Sequence, residues 1–411
     1  MANETIRTAN VAVLLKLEAA EGIDANPNPA TDAIAVEANS VSSGQPWTFE
    51  QSNEATGSLV AGAQEIIGQP TPVSFKTRVR GVGGGAAYTA AVKPPAHAVL
   101  QCCGWRGQFH PAVAAALATG GSATSITLPA SFPGSARALL GAILRIGAGK
   151  GAGYAPAVIE YTAGRIATLA EPLPEAADAT TSVSLAAAWS YAQTSPLDGA
   201  SRLADQPSAT VYIYRDGKLK RFTGVRGTLM LDGRSARAGY ATFQGTGIYA
   251  GEVDTPMPTT LAAAAHSAPV LLQATAKSPA VSLNGKPLNI STWSLEPGSQ
   301  LTTPDDPNTL AGFASPTITD RMPMLKVDPL ATLVANRDLI AEIGQGMRMP
   351  GVLRFGSQTG NRWSLVAPLA QQLTVEDGER DKLMSEQISA QCLSLGRDAY
   401  TRDTDRVLFF D

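Results

Sequence analysis

The chain has 411 residues, of which 44% are hydrophobic and only 16% charged, with a formal net charge of −3. That length exceeds one ordinary domain, and the abundance of Gly, Ala, Ser, Thr and Pro over charged residues favours β structure with many turns over helical bundles. A near-neutral chain lacks the cationic field that grips phosphates, which excludes a tight nucleic-acid binder but not one that lets nucleic acid slide past. The cysteines Cys102, Cys103 and Cys392 show no CxxC spacing, and a vicinal pair does not readily close a normal disulfide. They read as buried small hydrophobes in a reducing compartment. The N-terminus MANETIRTAN has no apolar signal core. The longest apolar stretch, residues 136–146, is too short for a membrane span and contains two arginines.

Val11, Val13, Leu15 and Leu17 recur at period two and predict an extended arm, although the same residues tolerate a helical reading. Residues 22–32 form a loop by their Asn-Pro pairs. Ile34 and Val36 begin a strand, and Trp47 and Phe49 mark another after a turn at Ser42-Ser43-Gly44. Residues 72–80 predict a strand with Val73, Phe75, Thr77 and Val79 on one face and Lys76, Arg78 and Arg80 on the other. After a glycine loop at 81–85, Pro94-Pro95 opens a short helix with Val99, Leu100 and Cys103 on one face and Gly104 at its stop. Residues 122–188 change texture. Short apolar runs at 126–128, 140–146, 158–161, 166–169 and 183–185 alternate with Gly- and Pro-rich turns and predict a small inserted β module.

Residues 208–251 carry the clearest β signal. Val211 and Ile213 alternate with Thr210, Tyr212 and Tyr214. Asp216-Gly217 suits a two-residue hairpin turn, because both central residues need positive φ. Val225, Gly227, Leu229 and Leu231 alternate again, and Asp232-Gly233 offers a second turn. Tyr240, Thr242, Gln244, Thr246 and Ile248 then face one way, with Ala241, Phe243, Gly245, Gly247 and Tyr249 opposite. This predicts an antiparallel meander of about four strands.

Residues 256–269 read as a linker. Beyond it, residues 281–283, the Asn284-Gly285 turn and residues 288–295 predict a hairpin with Trp293 in mid-strand. A strand at 322–327 leads to Asp328 and Pro329, expected at the N-cap and first position of a helix carrying Leu330, Leu333, Val334, Ile340 and Ile343 and ending at Gly344. Strands follow at 351–355, 362–366, 372–376 and, after an Asp377-Gly378 turn, 384–395. The order strand, proline-started helix, meander with an Asp-Gly turn therefore occurs at 73–251, with the insertion inside it, and again at 322–395. That order predicts an internal duplication.

No stretch predicts chemistry. GAGKGAG at 147–153 fails the phosphate-loop pattern, since Leu144 holds the first glycine position and Gly151 follows Lys150. Gly245, Gly247 and Ala250 lead on to Pro256 rather than into a helix, which removes a dinucleotide site. His97, His110 and His266 have no metal-type partner, and Asp305-Asp306 lies in a Pro-flanked loop. Glu376, Asp377, Glu379, Arg380, Asp381 and Lys382 read as a solvated turn or an intersubunit ion-pair site. Arg215, Lys218, Lys220, Arg221, Arg226, Arg234 and Arg237 read as a solvated or subunit-contacting face. No catalytic, cofactor-binding or metal-binding residue is expected. The residues singled out, Asp216, Gly217, Asp232, Gly233, Asp377 and Gly378, are turn formers.

Several motifs carry a resemblance. They are VAVLLKLEAAEGIDANPNPATDAIAV at 11–36, SFKTRVRG followed by PPAHAVLQCCGW, FTGVRG at 222–227, FQGTGIY at 243–249 and ITDRMPMLKVDP at 318–329. In these the chain resembles the tail tube (major tail) proteins of long-tailed, non-contractile bacteriophages. The resemblance implies a mainly β protein with a few short helices and two tail-tube-like β-sandwich or barrel modules, each with a flanking helix. The first module is expected at 1–121 and 189–255, the inserted, outward-facing module at 122–188, and the linker and second module at 256–411. It implies a non-enzymatic structural protein of the virion tail, assembled in the host bacterial cytoplasm, whose stacked rings form the channel for genome passage. Partners would be the chain itself, a tape-measure protein, tail terminator and distal tail proteins, and DNA in transit, with no membrane insertion and no cofactor. Two modules per chain imply a trimeric ring with pseudo-sixfold symmetry, with a hexamer as the other arrangement. The competing expectation is a capsid-surface or receptor-binding virion protein built from similar modules.

Overall fold

The computed structural model describes residues 5–52, 54–55, 57–60, 62–262, 268–275, 277–309 and 311–411. The chain is mainly β with a few short helices. It opens with β1 (Val11–Leu17), the one-turn helix α1 (Pro29–Asp32), β2 (Ala33–Ile34), β3 (Ser42–Ser43), a ribbon of β4 (Trp47–Gln51) and β5 (Gln64–Gly68), β6 (Thr71–Arg78), α2 (His97–Cys102) and β7 (Trp105–His110). Short strands follow: β8 (Val113–Leu117), β9 (Gly120–Gly121), β10 (Ser125–Thr127), β11 (Arg145–Ala148), β12 (Val158–Tyr161), β13 (Ile166–Leu169) and β14 (Ser182–Leu185). Then come β15 (Ala188–Gln193), α3 (Arg202–Asp205) and a long meander of β16 (Ala209–Arg215), β17 (Lys218–Arg234) and β18 (Tyr240–Asp254). The remainder holds β19 (Val281–Leu283), β20 (Lys286–Pro287), β21 (Ile290–Glu296), a ribbon of β22 (Ser299–Thr302) and β23 (Thr317–Arg321), β24 (Met324–Pro329), α4 (Leu339–Gly344), β25 (Arg348–Phe355), β26 (Trp363–Arg380), β27 (Leu383–Cys392) and β28 (Val407–Phe410).

The strand pairing repeats. In the first half the antiparallel order is β2-β1-β16-β17-β18-β6-β3. In the second it is β20-β19-β25-β26-β27-β24-β21. Each half inserts a two-stranded ribbon after its third strand, β4–β5 or β22–β23. Each carries a short helix in the connection leaving its fourth strand, α2 or α4. The repeat thus begins at β1 and β19, well before residues 73 and 322. β1 is no free arm: it pairs along its whole length with β16, from Val11↔Arg215 to Leu17↔Ala209. Its alternation places Val13 and Leu15 in the main core and Ala12 and Leu14 in a second cluster with Tyr212 and Tyr214.

The main core is shared by both halves. Phe75, Leu229 and Phe243 from the first join Trp293, Leu353 and Trp363 from the second, and the Phe355 and Trp363 rings stack 3.7 Å apart. The inserted strands form two small sheets, β12-β13-β10-β9 and β11-β14-β8. They start at Val113, earlier than the texture change at residue 122. β7 and β15 pair from Trp105↔Gln193 to His110↔Ala188 as the stalk of this insertion. β28 then lies between β15 and the N-terminal end of β26, so the stalk is spliced into the second half. The insertion core includes Val352, Val366 and Phe409 from that half.

One buried ion pair fixes this contact. Arg354 is 1% exposed and grips Glu171 of the insertion through both nitrogens, at 2.8 and 2.9 Å. The guanidinium also donates to the carbonyls of Pro279 and Ala155, and Ser282 donates to the Glu171 carboxylate. The carboxylate and guanidinium forks match, so both carboxylate oxygens and both terminal nitrogens are hydrogen-bonded inside the protein.

Three expectations change. Asp328 and Pro329 end strand β24 and start no helix. The Asp328 carboxylate accepts the backbone N–H groups of Ser291 and Thr292, at 2.7 and 2.6 Å. Proline is tolerated there because the β21–β24 register is irregular between Ile290 and Trp293, opposite it. The helix starts later, where the Asp338 carboxylate caps Ala341 N–H at 2.9 Å. Asp232 and Gly233 continue β17, and the chain reverses beyond Arg234, with Ala236 at φ 52°. Asp377 and Gly378 lie inside β26, and the two-residue turn falls at Asp381-Lys382, with φ of 52° and 66°. Here the cross-strand ladder, down to Arg380↔Leu383, overrides the local turn preference. Asp216 and Gly217, at φ 45° and 102°, do form the β16–β17 turn, and Asp216 accepts from Asn10 and the Arg7 N–H.

Glu171→Gln is expected to lower unfolding free energy by about 3–5 kcal/mol, because it leaves a buried guanidinium without its counter-charge; equilibrium urea unfolding measures it. Gly217→Val meets no neighbour within 4 Å, so its cost is conformational alone. A β-branched residue at that positive φ is expected to cost about 1–2 kcal/mol by the same measurement.

Candidate assembly surfaces

The described histidines and the cysteines are partly or wholly withdrawn from solvent. His97 Nδ1 lies 2.8 Å from the Tyr191 hydroxyl, and His110 Nε2 lies 2.7 Å from Ser190 Oγ. Burial, helped by Lys93 in one case and Arg402 in the other, pushes both imidazoles down to about 3, so they are neutral at pH 7. His266 lies outside the described residues. Cys102, Cys103 and Cys392 are all buried. Burial raises the Cys103 thiol and pushes that of Cys392 up to about 12. Among the described residues no group of three or more His, Cys, Asp or Glu is placed to hold a metal, and no helix is long and apolar enough to cross a membrane.

The glycine runs serve packing. A Cβ on Gly149 would come within 1.9 Å of the Thr180 carbonyl oxygen. Gly245 and Gly247, inside β18, leave room for the Phe243 ring and the Val225 side chain. The basic set of the meander divides. Lys218 and Lys220 pair with Glu252, whereas Arg226 is fully buried. It donates to the Gln206 and Pro316 carbonyls and to Glu21, each at 2.8 Å. Arg226 therefore belongs to no solvated face.

Arg226 marks the joint between the halves. β17 has 17 residues and β16 only 7, so beyond Val225 one edge of β17 has lost its partner. β21 takes that edge, from Leu231↔Leu295 to Arg234↔Thr292. A Cβ on Gly233 would lie 2.8 Å from Trp293 Nε1, so the indole sits flat against the β17 backbone only because residue 233 is glycine. The β22–β23 ribbon folds over the same region. The Pro316 carbonyl accepts from Arg226, Ile318 packs over Gly104 at the end of α2, and Arg321 donates to the Thr194 carbonyl and pairs with Asp403. Leu229 and Leu231 are thereby sealed.

The corresponding surfaces on the other side of each half are open. Among the described residues the β4–β5 ribbon pairs with no other strand; its Gly68 end lies against Ala311 of the β22–β23 loop, while Trp47 (51%), Phe49 (64%) and Ile66 (76%) are exposed. β26 has 18 residues and β25 only 8, so its edge is unpaired beyond Gln371. Leu373, Leu383, Met384 and Ile340 are exposed along and around that edge. Sequence reasoning found the strand at Trp47 and Phe49 but not its exposure. Alternation marks two faces without saying which one is covered. The charged turn at 376–382 forms the tip of the β26–β27 hairpin, and Arg380 approaches Asp328 at 3.8 Å. A comparison with protein-family models finds no match for this chain, and a comparison with curated proteins finds none either.

The buried histidines predict a pH dependence. A histidine whose folded pKa lies below its ordinary 6.5 makes the unfolded state the greater proton binder. Stability is then complete above that ordinary value and is lost as pH falls towards 3. His110→Asn is expected to reduce the slope of unfolding free energy between pH 6 and 4 by about 1.4 kcal/mol per pH unit. Urea unfolding at a series of pH values checks this.

Proposed function

We propose that the chain is a structural virion protein that polymerises as stacked rings into a phage tail tube, the channel for genome passage. The observation that carries this reading is the pair of open, apolar sheet edges on a duplicated fold. An exposed edge of this kind is a template for another strand, and an exposed apolar group this large marks an interaction site. The internal joint supports the same reading, since two homologous sheets already run together inside one chain.

With two modules per chain, the ring is a trimer with pseudo-sixfold symmetry. The inserted module rides on the second half through Glu171–Arg354 and is an accessory decoration facing away from the channel. A chain of net charge −3 offers DNA little to hold, which suits a wall past which DNA slides. The tape-measure protein sets tube length, and terminator and distal tail proteins close its ends. The site of action is the tail of the virion, with assembly in the bacterial cytoplasm.

Negative-stain microscopy of the purified chain is expected to show hollow tubes, alone or after addition of the tape-measure protein. Class averages are expected to show three chains in each ring. Particles that stay monomeric and bind capsids or cells would favour a capsid-surface or receptor-binding role, and six chains per ring would remove the trimer.

A further inference from the structure

The two halves can be placed in register from strand pairing alone. Leu229 pairs with Phe243, which pairs with Phe75. Val375 pairs with Ile388, which pairs with Val327. Leu229 and Val375 are therefore equivalent, as are Phe75 and Val327. α2 packs on β17 as α4 packs on β26, and Gly104 (φ 78°) just past α2 corresponds to Gly346 (φ 61°) just past α4. In the same register β21, whose Leu295 pairs with Leu325, corresponds to β3, whose Ser43 pairs with Val73. Ribbon β22–β23 corresponds to ribbon β4–β5, with Ile318, opposite Leu301, matching Ile66, opposite Phe49.

Within one chain, β21 and its ribbon clasp β17 and the end of α2. The equivalents of both partners exist a second time and, among the described residues, are not paired with each other: β3 with its ribbon, and β26 with α4. We propose that a second copy of this chain joins them. The β3 segment of one molecule extends the free edge of β26 in the next, and its β4–β5 ribbon lies over α4 there. This repeats between molecules the joint that the halves make within one.

Two observations favour this occupant over any other. The joint already exists in the molecule, so its geometry is known to be attainable by this fold. The surfaces that it would cover are the ones left apolar: Trp47, Phe49 and Ile66 on the ribbon, Ile340, Leu373 and Met384 on the receiving side. An isolated two-stranded ribbon is marginal in water and gains its stability from what it packs on. Charge is neutral to the contact: the β26–β27 tip mixes Glu376, Asp377 and Glu379 with Arg380 and Lys382, and on β6, which borders β3, Lys76 and Arg78 pair with Asp232 and Glu37. On the β3 side Arg215 donates to the Val41 carbonyl, so strand addition there exchanges one side-chain bond for a ladder. Such a contact is heterologous, head to tail, and closes into a ring when the rotation permits. The proposal rests on the self-association in the function above and not on a virion role.

Disulfide trapping tests it, because the native cysteines are buried. Ile318 reaches to within 3.1 Å of a Cβ placed on Gly104, so position 66 of one molecule should meet position 345 or 346 of the next. Chains carrying Ile66→Cys and chains carrying Gln345→Cys, mixed, assembled and oxidised, are expected to give one cross-linked species joining the two variants and none from either alone. Phe49→Ser with Ile66→Ser is expected to raise the concentration needed for assembly about tenfold or more, with the thermal melt of the monomer unchanged. Ile66→Cys chains linking to each other, or co-assembly with position 345 left unlinked, would overturn this interface while sparing the proposed function. Wild-type chains that sediment as monomers at every concentration, with and without the tape-measure protein, would overturn both.

Discussion

A strand that outruns its neighbour leaves backbone donors and acceptors facing water, and most of this architecture answers that constraint. β17 and β26 each extend far past the strand that starts beside them. The unpaired length of β17 is closed by β21, which welds two halves of the same strand order into one sheet. That weld explains why Trp293 and Trp363 share a core with Phe75 and Phe243. One core draws side chains from both halves, so each half buries part of its apolar surface against the other.

The insertion obeys the same rule by another route. Its stalk, β7 and β15, would be an exposed ribbon if it stood alone. β28 pairs with β15 on one side and β26 on the other, supplying both with a partner. Buried charges then hold positions that apolar packing leaves free to slide. Arg354 with Glu171 pins the insertion, Arg226 with Glu21 pins the interdomain ribbon, and Glu18 accepts from Ser208, Thr210 and the Gly22 and Gly224 N–H groups. Each buried charge is hydrogen-bonded more than once, which is what keeps a charge stable away from water.

A surface whose partner is absent looks different from one whose partner is present. Ile318 and Ile66 hold equivalent places on equivalent ribbons. The first packs over Gly104 and the second is 76% exposed. Leu231 is sealed by β21, whereas the matching stretch of β26 faces solvent. The asymmetry lies in neither half; it lies in what happens to sit next to each.

Much of this protein is written locally. Period-two alternation at Val211 and Ile213 or at Val73 and Phe75 makes strands, because one face must leave water. Asp216-Gly217 makes a turn because both residues accept positive φ. The order strand, helix, meander is also legible in both halves, although Asp328-Pro329 and Asp377-Gly378, which marked it in the second, serve other roles. Long-range pairing decided the rest. Asp377-Gly378 has the residues of a turn but is held straight by its ladder to β27, and Asp328-Pro329 has those of a helix start but caps the β21 backbone instead. Arg226, one basic residue among several in sequence, is buried because a ribbon ninety residues later brings a carbonyl to it. Sequence alone determined which segments are strands and which faces are apolar, since those follow from each residue's own preferences. Which edges are closed and which remain open depends on neighbours distant in the chain, and only the tertiary structure decided that.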